Sequence, residues 1–375
     1  MTTTRPTRQH PKPQTGIVHL GPGAFFRAFV ARYTDDACAG LAAPHAWGIK
    51  GVSLRSPTVR NALAGQDWVY TAHERQPVGT VVDTVEILTD ILVAPEDPAA
   101  VVASMADPAV KIVSLTVTEK AYFDRDQGSA VAILVEGLAQ RFAAGVRPFT
   151  ALSCDNLNGN GEVLRAAVLE VARTRDGALV AWIEREGRFP STMVDRITPA
   201  TTEADVAAYE AASGIFDPGM VVHEPFAQWV IEDDFVDGER PDWDAQFVED
   251  VAPFELMKLR LLNGAHTSLA VLGLAKGLTT VAEAVADPEL RAFIQGLWTE
   301  EMIPTLQPLP ESVDLKAYCA ALLERFENPA MEHHLAQIAT DMAQKLEVRI
   351  KAPLAERKAA GLSATRLERV LQASA

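Results

Sequence analysis

The feature of this sequence that most constrains its fold is a short strand that ends in a glycine turn and leads directly into a helix. Residues 16–20 (GIVHL) form an apolar, β-branched run, and residues 21–23 (GPG) end it abruptly. Across residues 24–38, aromatic side chains recur at every fourth position, which predicts a helix with one aromatic stripe (Phe25, Phe29 and Tyr33). Strand, glycine turn and helix form the opening of a βαβ unit, so this part of the chain is expected to be α/β.

Further apolar runs continue the strand pattern through the first two thirds of the chain. They cover residues 47–54, 80–85, 111–117 and 149–154. Because helix-length patterns separate these runs, we expect a mostly parallel sheet that is covered on both faces. From about Pro253 the strand patterns stop and helical periodicities dominate. The organisation predicted is a flexible segment over residues 1–15, an α/β domain over 16–250 and a mostly helical domain over 251–375.

Composition narrows the classes of function. Lys and Arg total 34 against 50 Asp and Glu, a net charge of −16, which argues against a protein that grips nucleic-acid phosphates. Three scattered cysteines provide neither a disulfide framework nor a metal site. No apolar run approaches the ~18 residues that a membrane span needs, and the N-terminal segment is polar. We therefore expect a cytoplasmic globular protein that binds neither nucleic acid, membrane nor metal.

The glycine turn is a candidate dinucleotide site. Gly21 and Gly23 follow a strand, and Ala24 and Phe25 begin the predicted helix, where free N–H groups and the positive end of the helix dipole attract a pyrophosphate. The full fingerprint has a third glycine at a position that Phe26 occupies here. A turn that only connects strand to helix therefore remains an alternative.

The segment after the second strand bears on cofactor choice. An acidic residue that would hold the adenosine ribose is missing, and the segment reads Leu54-Arg55-Ser56. Arg55 is a candidate for contact with the 2′-phosphate of NADP. A solvated loop arginine is the alternative, so both NAD and NADP stay open.

A second candidate site lies on the predicted helix over residues 253–266. At about 100° per residue, with Lys258 at 0°, Glu255 falls near 60°, His266 near 80° and Asn263 near 140°. Four polar groups on one arc of an apolar helix favour a cleft, because an unsatisfied buried polar group costs about 1–3 kcal/mol. The alternative is an ordinary exposed helix with Lys and Glu three residues apart.

These residue types match the needs of alcohol oxidation. The reaction requires a base for the hydroxyl proton, a hydride acceptor and donors for the developing alkoxide. A lysine desolvated in a cleft becomes a usable base, an asparagine amide can stabilise the oxyanion, and a histidine can orient a hydroxyl.

Seven blocks of sequence, taken together, resemble one known family. They are IVHLGPGAFFRAFVARYTDD (17–36), WGIKGVSLRSP (47–57), KIVSLTVTEKAYF (111–123), SCDNLNGNG (153–161), MVDRITPATT (193–202), EPFAQWVIEDDF (224–235) and KLRLLNGAH (258–266). They are similar to the polyol-specific long-chain dehydrogenases, which include mannitol 2-dehydrogenase and fructuronate reductase. The resemblance implies a monomeric, metal-independent, NAD(P)-dependent enzyme that acts on a sugar acid or polyol. It also implies a Rossmann-type N-terminal domain and a mostly α-helical C-terminal domain.

The resemblance also implies roles for single residues. Lys258 matches the family's general base, and Glu255 matches its proton-relay glutamate. Asn263 and Asn156 match its oxyanion-binding asparagines. His266 and Asp195 match residues that bind substrate hydroxyls.

The sequence departs from the family pattern at three places. Phe26 and Phe29 stand where the family usually has histidines, so we expect a more apolar rim around the glycine turn. His334 stands where a substrate-binding arginine is usual, and a sugar acid would be held less firmly unless another cation (Arg260, Lys345 or Arg349) compensates. Family members usually continue for several helices beyond the position of Leu362, so we expect a shortened C-terminal domain.

The function expected is interconversion of D-mannonate and D-fructuronate, because the MVDRITPATT block and the stretch before His266 are similar to those of fructuronate reductases. Interconversion of D-mannitol and D-fructose is the first alternative. A catalytically silent, dinucleotide-binding family member is the second.

Overall fold

The computed structural model describes residues 4–42, 45–126, 128–310 and 312–374. The chain forms two compact units. Unit 1 comprises Met1–Arg75 and Thr80–Val251, and unit 2 comprises Gln76–Gly79 and Ala252–Ala375. Within the described ranges, no helix has the length and apolar character that crossing a membrane requires.

All strands of the described chain lie in unit 1. They are β1 (Thr15–Leu20), β2 (Gly48–Ser53), β3 (Tyr70–Arg75), β4 (Thr80–Val85), β5 (Leu88–Val93), β6 (Ile112–Leu115), β7 (Thr150–Ser153), β8 (Thr192–Asp195), β9 (Val221–His223), β10 (Gln228–Glu232) and β11 (Gln246–Val248). The α-helices of unit 1 are α1 (Ala24–Ala28), α2 (Val30–Cys38), α3 (Thr58–Leu63), α4 (Pro98–Ala106), α5 (Ala130–Ala143), α6 (Asn160–Arg173), α7 (Gly177–Glu186) and α8 (Glu203–Ser213).

The central sheet is five-stranded and parallel, with strand order β5-β2-β1-β6-β7. Three of the predicted strands (47–54, 111–117 and 149–154) lie in it as β2, β6 and β7. The predicted strand over residues 80–85 does not. It is β4, which pairs antiparallel with β3 in a separate three-stranded sheet, and most of its residues are exposed. A half-exposed strand fits an antiparallel hairpin better than a buried parallel sheet.

Apolar residues cover both faces of the central sheet. Val18 and Val113 belong to one buried cluster, together with residues of α4, α5, α6 and α7. Ile17 and Ile112 belong to a second cluster, which includes residues of α1 and α2. Successive residues of a strand point to opposite faces, so the two clusters lie on opposite sides of the sheet. The predicted arrangement of a covered parallel sheet is confirmed.

The helix predicted over residues 24–38 is broken at Phe29. The backbone of Phe29 has φ −125° and ψ −85°, which is not helical, and α1 and α2 lie on either side of it. The aromatic stripe persists across the break, since the Phe29 ring centroid is 5.0 Å from those of both Phe25 and Tyr33. Phe29 also packs at 5.5 Å from Trp229.

The segment predicted to be flexible makes defined contacts where it is described. Arg8 forms an ion pair with Asp67 at 2.9 Å and donates to the backbone carbonyls of Glu86 and Leu88. The Glu86 carboxylate accepts the N–H groups of Gln9 and His10 at 2.7 and 3.0 Å. Residues 1–3 lie outside the described ranges, and the mobility of the segment stays a prediction.

Unit 2 is helical in its described part. Its α-helices are α9 (Ala252–Lys258), α10 (Gly264–Ala275), α11 (Val281–Ala286), α12 (Pro288–Gly296), α13 (Leu315–Glu327), α14 (Leu335–Ile338), α15 (Met342–Leu346), α16 (Ala352–Ala359) and α17 (Thr365–Ala373). Three π-helical segments interrupt them, at Leu259–Asn263, Leu297–Met302 and Glu347–Lys351. Helix α10 is the centre of the unit, because all its residues from Gly264 to Gly273 are buried.

Candidate active site

A cleft of ≈ 510 Å³ lies within unit 1 at the carboxyl ends of β1, β2 and β6. Its lining includes the glycine turn, residues 53–56 after β2, and residues 116–118 after β6. The strand order of the central sheet reverses beside β1, and open parallel sheets bind ligands at such a switch point.

The two glycines of the turn are required for different reasons. Gly21 has φ +89°, and a Cβ atom there would lie 2.3 Å from the Thr116 carbonyl oxygen, so a side chain does not fit. The Thr116 hydroxyl donates to the Gly21 carbonyl at 2.8 Å, which fixes the turn against β6. A Cβ on Gly23 would meet no protein atom closer than 3.9 Å. The space over Gly23 is therefore available to a ligand, and the turn fits a dinucleotide pyrophosphate.

The backbone after the turn offers hydrogen-bond donors. Among the described residues, the N–H groups of Ala24 and Phe25 have no acceptor. Helix α1 has only five residues before the break at Phe29, so its dipole is weaker than a single helix over 24–38 would supply. Binding of an anion here therefore depends more on these N–H groups, and less on the helix dipole, than the single predicted helix over residues 24–38 implied.

Arg55 lies at the rim of the same cleft, directly after β2. Its side chain is exposed, and within the described chain it has no ion pair. This placement suits a contact with the ribose end of a dinucleotide, and it suits a solvated arginine equally well.

Phe26 and Phe29 do not form an apolar rim, which corrects the sequence-based expectation. Both are fully buried. Phe26 stacks on the His19 ring at 3.7 Å between centroids. Nδ1 of His19 lies 2.8 Å from the Ser114 hydroxyl, and Nε2 lies 2.9 Å from the Thr116 hydroxyl. Burial lowers the pKa of His19 to about 3, so this histidine is neutral. The phenylalanines therefore extend the core under the turn.

A buried carboxylate positions the loop after β6. Asp155 accepts the N–H groups of Val117 and Thr118 at 3.0 Å each, and the Tyr122 hydroxyl donates to it at 2.6 Å. Thr118 has φ +83°, a conformation that costs of order 1–3 kcal/mol for a residue with a side chain. Asp155 thus holds a strained residue in the cleft lining. Burial raises the pKa of Asp155, against the effect of these hydrogen bonds.

The two predicted substrate-site residues of unit 1 follow β7 and β8. Asn156 is exposed in the loop after β7, and Asp195 is buried at the end of β8. Asn160 connects the two elements, since its amide donates to the Asp155 and Thr192 carbonyls at 2.9 Å each. Sequence reasoning missed Asn160, because nothing in the SCDNLNGNG run distinguishes a structural asparagine from a functional one.

In unit 2 the predicted continuous helix is interrupted between Lys258 and His266. The π-helical segment Leu259–Asn263 shifts the hydrogen bonding to i→i+5, and the Gly264 N–H donates to the Leu259 carbonyl. One added residue in the turn rotates everything after it back by about 100°. With Lys258 at 0°, Asn263 then falls near 40° and His266 near −20°, by the same helical arithmetic.

The π turn therefore gathers the four polar residues more closely than an α-helix would. Their arc shrinks from about 140° to about 80°. Lys258 and His266 are buried, while Glu255 and Asn263 are half-buried. Lys258 lies close enough to His266 for its charge to contribute to the lowered pKa of that imidazole.

His266 lies in an aromatic pocket of unit 2. Its ring centroid is 4.8 Å from that of Phe326 and 4.9 Å from that of His333. Burial lowers the pKa of His266 well below its ordinary value, and His333, Arg325, Arg349 and Lys258 lower it further. The buried Nε2 atom has no hydrogen-bond partner among the described residues. The side chain is thus a neutral imidazole with one nitrogen left for a ligand.

His334, at the position of the family's substrate-binding arginine, has an exposed side chain, and its backbone forms a bridge with Thr280. The preceding residue, His333, is the one that contacts His266, and burial lowers the pKa of His333 to about 4. Sequence reasoning missed His333 and Phe326 because their contact with His266 depends on how α13 and α14 pack on α10.

Of the three cations considered as replacements for the missing arginine, Arg260 is already engaged. It forms an ion pair with Glu356 and donates to the Thr305 carbonyl at 3.1 Å. Lys345 donates to the Ile338 carbonyl at 2.9 Å. Arg349 donates to the Thr267 hydroxyl at 3.3 Å, next to His266.

A parallel sheet with a glycine turn at its switch point, joined in sequence to a helical unit that carries a lysine and a neutral histidine, defines a Rossmann-fold dehydrogenase. The family model for the mannitol dehydrogenase Rossmann domain matches residues 15–245, and that for the mannitol dehydrogenase C-terminal domain matches residues 250–374. The chain belongs to the mannitol dehydrogenase family, and it is an oxidoreductase that acts on CH–OH groups. The family and fold class predicted from the sequence are confirmed.

Similar proteins include enzymes for a sugar acid and for a polyol. The chain is 42% identical to D-mannonate oxidoreductase of Escherichia coli K12, over 93% of this chain and 77% of that protein. It is 40% identical to mannitol 2-dehydrogenase of Aspergillus fumigatus, over 91% of this chain and 74% of the relative.

Two solved structures share the fold over the whole chain. Mannitol 2-dehydrogenase of Pseudomonas fluorescens, in a ternary complex with NAD and D-mannitol, has a TM-score of 0.85 at 35% identity. D-sorbitol dehydrogenase in substrate-free form has a TM-score of 0.90 at 34% identity. Each comparison covers 100% of this chain, with 81% and 82% of the respective relative.

Proposed function

We propose that this chain interconverts D-mannonate and D-fructuronate with NAD as the hydride carrier. The observation that carries the proposal is the π turn between buried Lys258 and buried His266, with the Lys258 charge near enough to help lower the pKa of that imidazole. The 42% identity to a D-mannonate oxidoreductase supports a sugar acid as the substrate.

The glycine turn would hold the cofactor. The open space over Gly23 and the free N–H groups of Ala24 and Phe25 suit its pyrophosphate. Gly21 keeps the turn close to β6, and Arg55, at the rim of the same cleft, would contact the ribose end. When bound, NAD supplies the hydride acceptor of the reaction.

Lys258 would handle the proton. In the oxidation direction its neutral amine accepts the hydroxyl proton of the substrate, and in the reduction direction its ammonium returns that proton. Glu255, one turn before Lys258, would relay the proton to solvent, which suits a half-buried carboxylate.

The remaining polar residues would bind the substrate oxygens. The Asn263 and Asn156 amides would donate to the developing alkoxide, which stabilises negative charge in the transition state. Nε2 of His266 and the carboxylate of Asp195 would bind substrate hydroxyls. A neutral imidazole suits this role, because it can bind a hydroxyl without adding a charge.

Interconversion of D-mannitol and D-fructose is the second candidate. It is favoured by the replacement of the usual substrate-binding arginine by His334, whose side chain is exposed. The Pseudomonas relative was solved with D-mannitol.

A substrate panel tests the proposal. Absorbance of the reduced nicotinamide is followed with D-fructuronate, D-fructose and D-tagaturonate, each with NADH and with NADPH. The proposal predicts the highest kcat/KM for D-fructuronate with NADH. A higher kcat/KM for D-fructose would favour the mannitol reaction, and NADPH preference would assign Arg55 to the 2′-phosphate. Cofactor binding without oxidation of any cofactor across the panel would favour a catalytically silent protein.

We further propose that the protein is a cytoplasmic monomer. Light scattering on the eluted protein then gives the chain mass of 40.5 kDa. A mass of twice that value would contradict the monomer.

A further inference from the structure

A half-buried arginine beside His266 has no carboxylate partner. Arg349 lies in the π-helical segment Glu347–Lys351, and its Nη1 donates to the Thr267 hydroxyl at 3.3 Å. Thr267 is fully buried and follows His266 directly in α10. Within the described ranges, no Asp or Glu forms an ion pair with Arg349, and its one hydrogen bond is to a neutral hydroxyl.

Most arginines of unit 2 have more hydrogen-bond or ion-pair partners than Arg349. Arg357 has no ion pair in the described chain, but it donates to the Ser363 and Glu301 carbonyls at 2.7 and 3.3 Å. Four other arginines of the unit each form an ion pair with a glutamate: Arg260 with Glu356, Arg291 with Glu327, Arg366 with Glu300 and Arg369 with Glu289. Acidic side chains are plentiful in a chain of net charge −16. The absence of one beside Arg349 therefore leaves a cationic position for something other than a protein carboxylate.

Partial burial makes the position costly without a ligand. A guanidinium that loses water and gains no counter-charge is destabilised, and burial lowers the pKa of Arg349 from its ordinary value. An anion that enters this position would restore the charge balance. The planar guanidinium matches a carboxylate through two parallel N–H···O bonds.

We propose that Arg349 binds the carboxylate of a sugar-acid substrate and so selects sugar acids over neutral polyols. His266, next to Thr267 on α10, presents its unpartnered Nε2 to a hydroxyl of the same ligand. Unit 2 thus supplies Arg349 for the carboxylate and His266 for a hydroxyl of the sugar acid, and only the carboxylate distinguishes this substrate from a neutral polyol. This assignment of Arg349 rests on the proposed function, and it replaces His334 as the anion-binding residue.

The test compares the Arg349→Gln variant with wild type on a charged and an uncharged ketose. Glutamine keeps much of the length and can still donate to Thr267, but it carries no charge. With D-fructuronate we expect KM to rise about 10- to 100-fold, as for loss of a charged hydrogen bond. With D-fructose, KM is expected to stay within about twofold, because that substrate has no carboxylate.

Two further variants make the test specific. Lys351→Gln removes a charge from the same π segment at an exposed residue paired with Glu347, and it should leave both KM values unchanged. Arg349→Lys keeps the charge but not the bidentate geometry, and it should restore part of the KM loss for D-fructuronate. If Arg349→Gln does not fold, judged by circular dichroism, the lysine variant carries the test with an expected KM rise of about 3- to 10-fold.

Binding measured without turnover separates this inference from the proposed function. Isothermal titration calorimetry with D-mannonate and with D-mannitol, in the presence of NADH, reports affinity alone, because the reduced cofactor cannot accept a hydride from either alcohol. If wild type binds D-mannonate, Arg349→Gln loses that binding, and wild type reduces no ketose, then the inference holds and the proposed function is wrong. Wild type that reduces D-fructuronate, with KM unchanged in Arg349→Gln, would overturn the inference alone. Equal losses with both ketoses, or no D-mannonate binding to wild type, would also overturn it.

Discussion

At the scale of single residues, the glycine turn was predictable from the sequence, whereas the packing beneath it was not. The Gly21-x-Gly23 spacing predicted a tight turn, and the structure gives each glycine its own reason: a positive φ with no room for a side chain at Gly21, and open space above Gly23. Phe26, at the position of the missing third glycine, stacks on His19 in the core below the turn. That contact has no sequence signal, since His19 and Phe26 meet only after the strand and helix have packed.

The two glycines lead to a paired prediction. Gly21→Ala should lower the free energy of unfolding by at least about 2 kcal/mol, because it forces a side chain into positive φ and against the Thr116 carbonyl. Gly23→Ala should change stability by less than about 1 kcal/mol but weaken NAD binding, since its Cβ enters the space over the turn. Urea unfolding and quenching of NADH fluorescence measure the two effects. Equal loss of stability in both variants would contradict this explanation.

His19 leads to a prediction about pH. Burial lowers its pKa from 6.5 to about 3, so below pH 6.5 the unfolded chain takes up the proton first. The contribution of neutral His19 to stability is complete above pH 6.5 and is lost as the pH falls from 6.5 towards 3. Between pH 7 and pH 5, wild type should therefore lose about 2 kcal/mol more stability than His19→Asn.

Urea unfolding at both pH values measures that difference. Wild type and His19→Asn are compared in the same buffers, so that all other ionisable groups contribute equally to both. A His19→Asn variant with the wild-type pH dependence would show that His19 is not the group responsible.

At the scale of elements, the π-helical segment is what the sequence did not predict. The pattern over residues 253–266 supports a helix and places four polar groups on it, but its periodicity assumes about 100° for every residue. A shift of the backbone hydrogen bonds from i→i+4 to i→i+5 depends on packing around the helix, and it cannot be recognised from the spacing of apolar residues in the sequence. The π turn narrows the arc that holds the four polar groups, and π turns often occur at functional sites. Both points support an active site at this segment.

A change of register across the π turn tests its importance. Insertion of an alanine after the half-buried Leu259 should rotate Lys258 by about 100° relative to His266, because the π turn takes up only one extra residue. Turnover should fall at least about 100-fold while helix content by circular dichroism is retained. Leu259→Ala is the control, since it removes the side chain without changing the register, and it should keep most of the turnover. Normal turnover in the insertion variant would show that the register across the π turn does not align the site.

The same scale explains the other differences from expectation. The strand over residues 80–85 was predicted correctly as a strand but wrongly as part of the central sheet, because strand pairing is decided by partners distant in sequence. The break at Phe29 divides one predicted helix into α1 and α2 although its aromatic spacing continues. Local pattern identifies an element well, whereas its partner and its irregularities depend on tertiary packing.

At the scale of the whole molecule, most of the fold follows from the sequence. Alternating strand and helix patterns followed by helical periodicity alone predict an α/β unit and a helical unit, and the observed units follow that order. The net charge of −16 excludes polyanion binding as a general task, yet the proposed ligands are anions. Positive groups must therefore be placed locally, and Arg349 is such a group because no described carboxylate neutralises it.

The division of labour between the units is the central claim: unit 1 binds the dinucleotide, and Lys258 of unit 2 moves the proton. The most direct measurement is steady-state turnover of Lys258→Ala with D-mannonate and NAD, together with its NAD affinity. We predict that kcat falls by at least about 100-fold, as for loss of a general base, while the NAD dissociation constant stays within about twofold. Turnover near the wild-type rate at neutral pH would contradict the account.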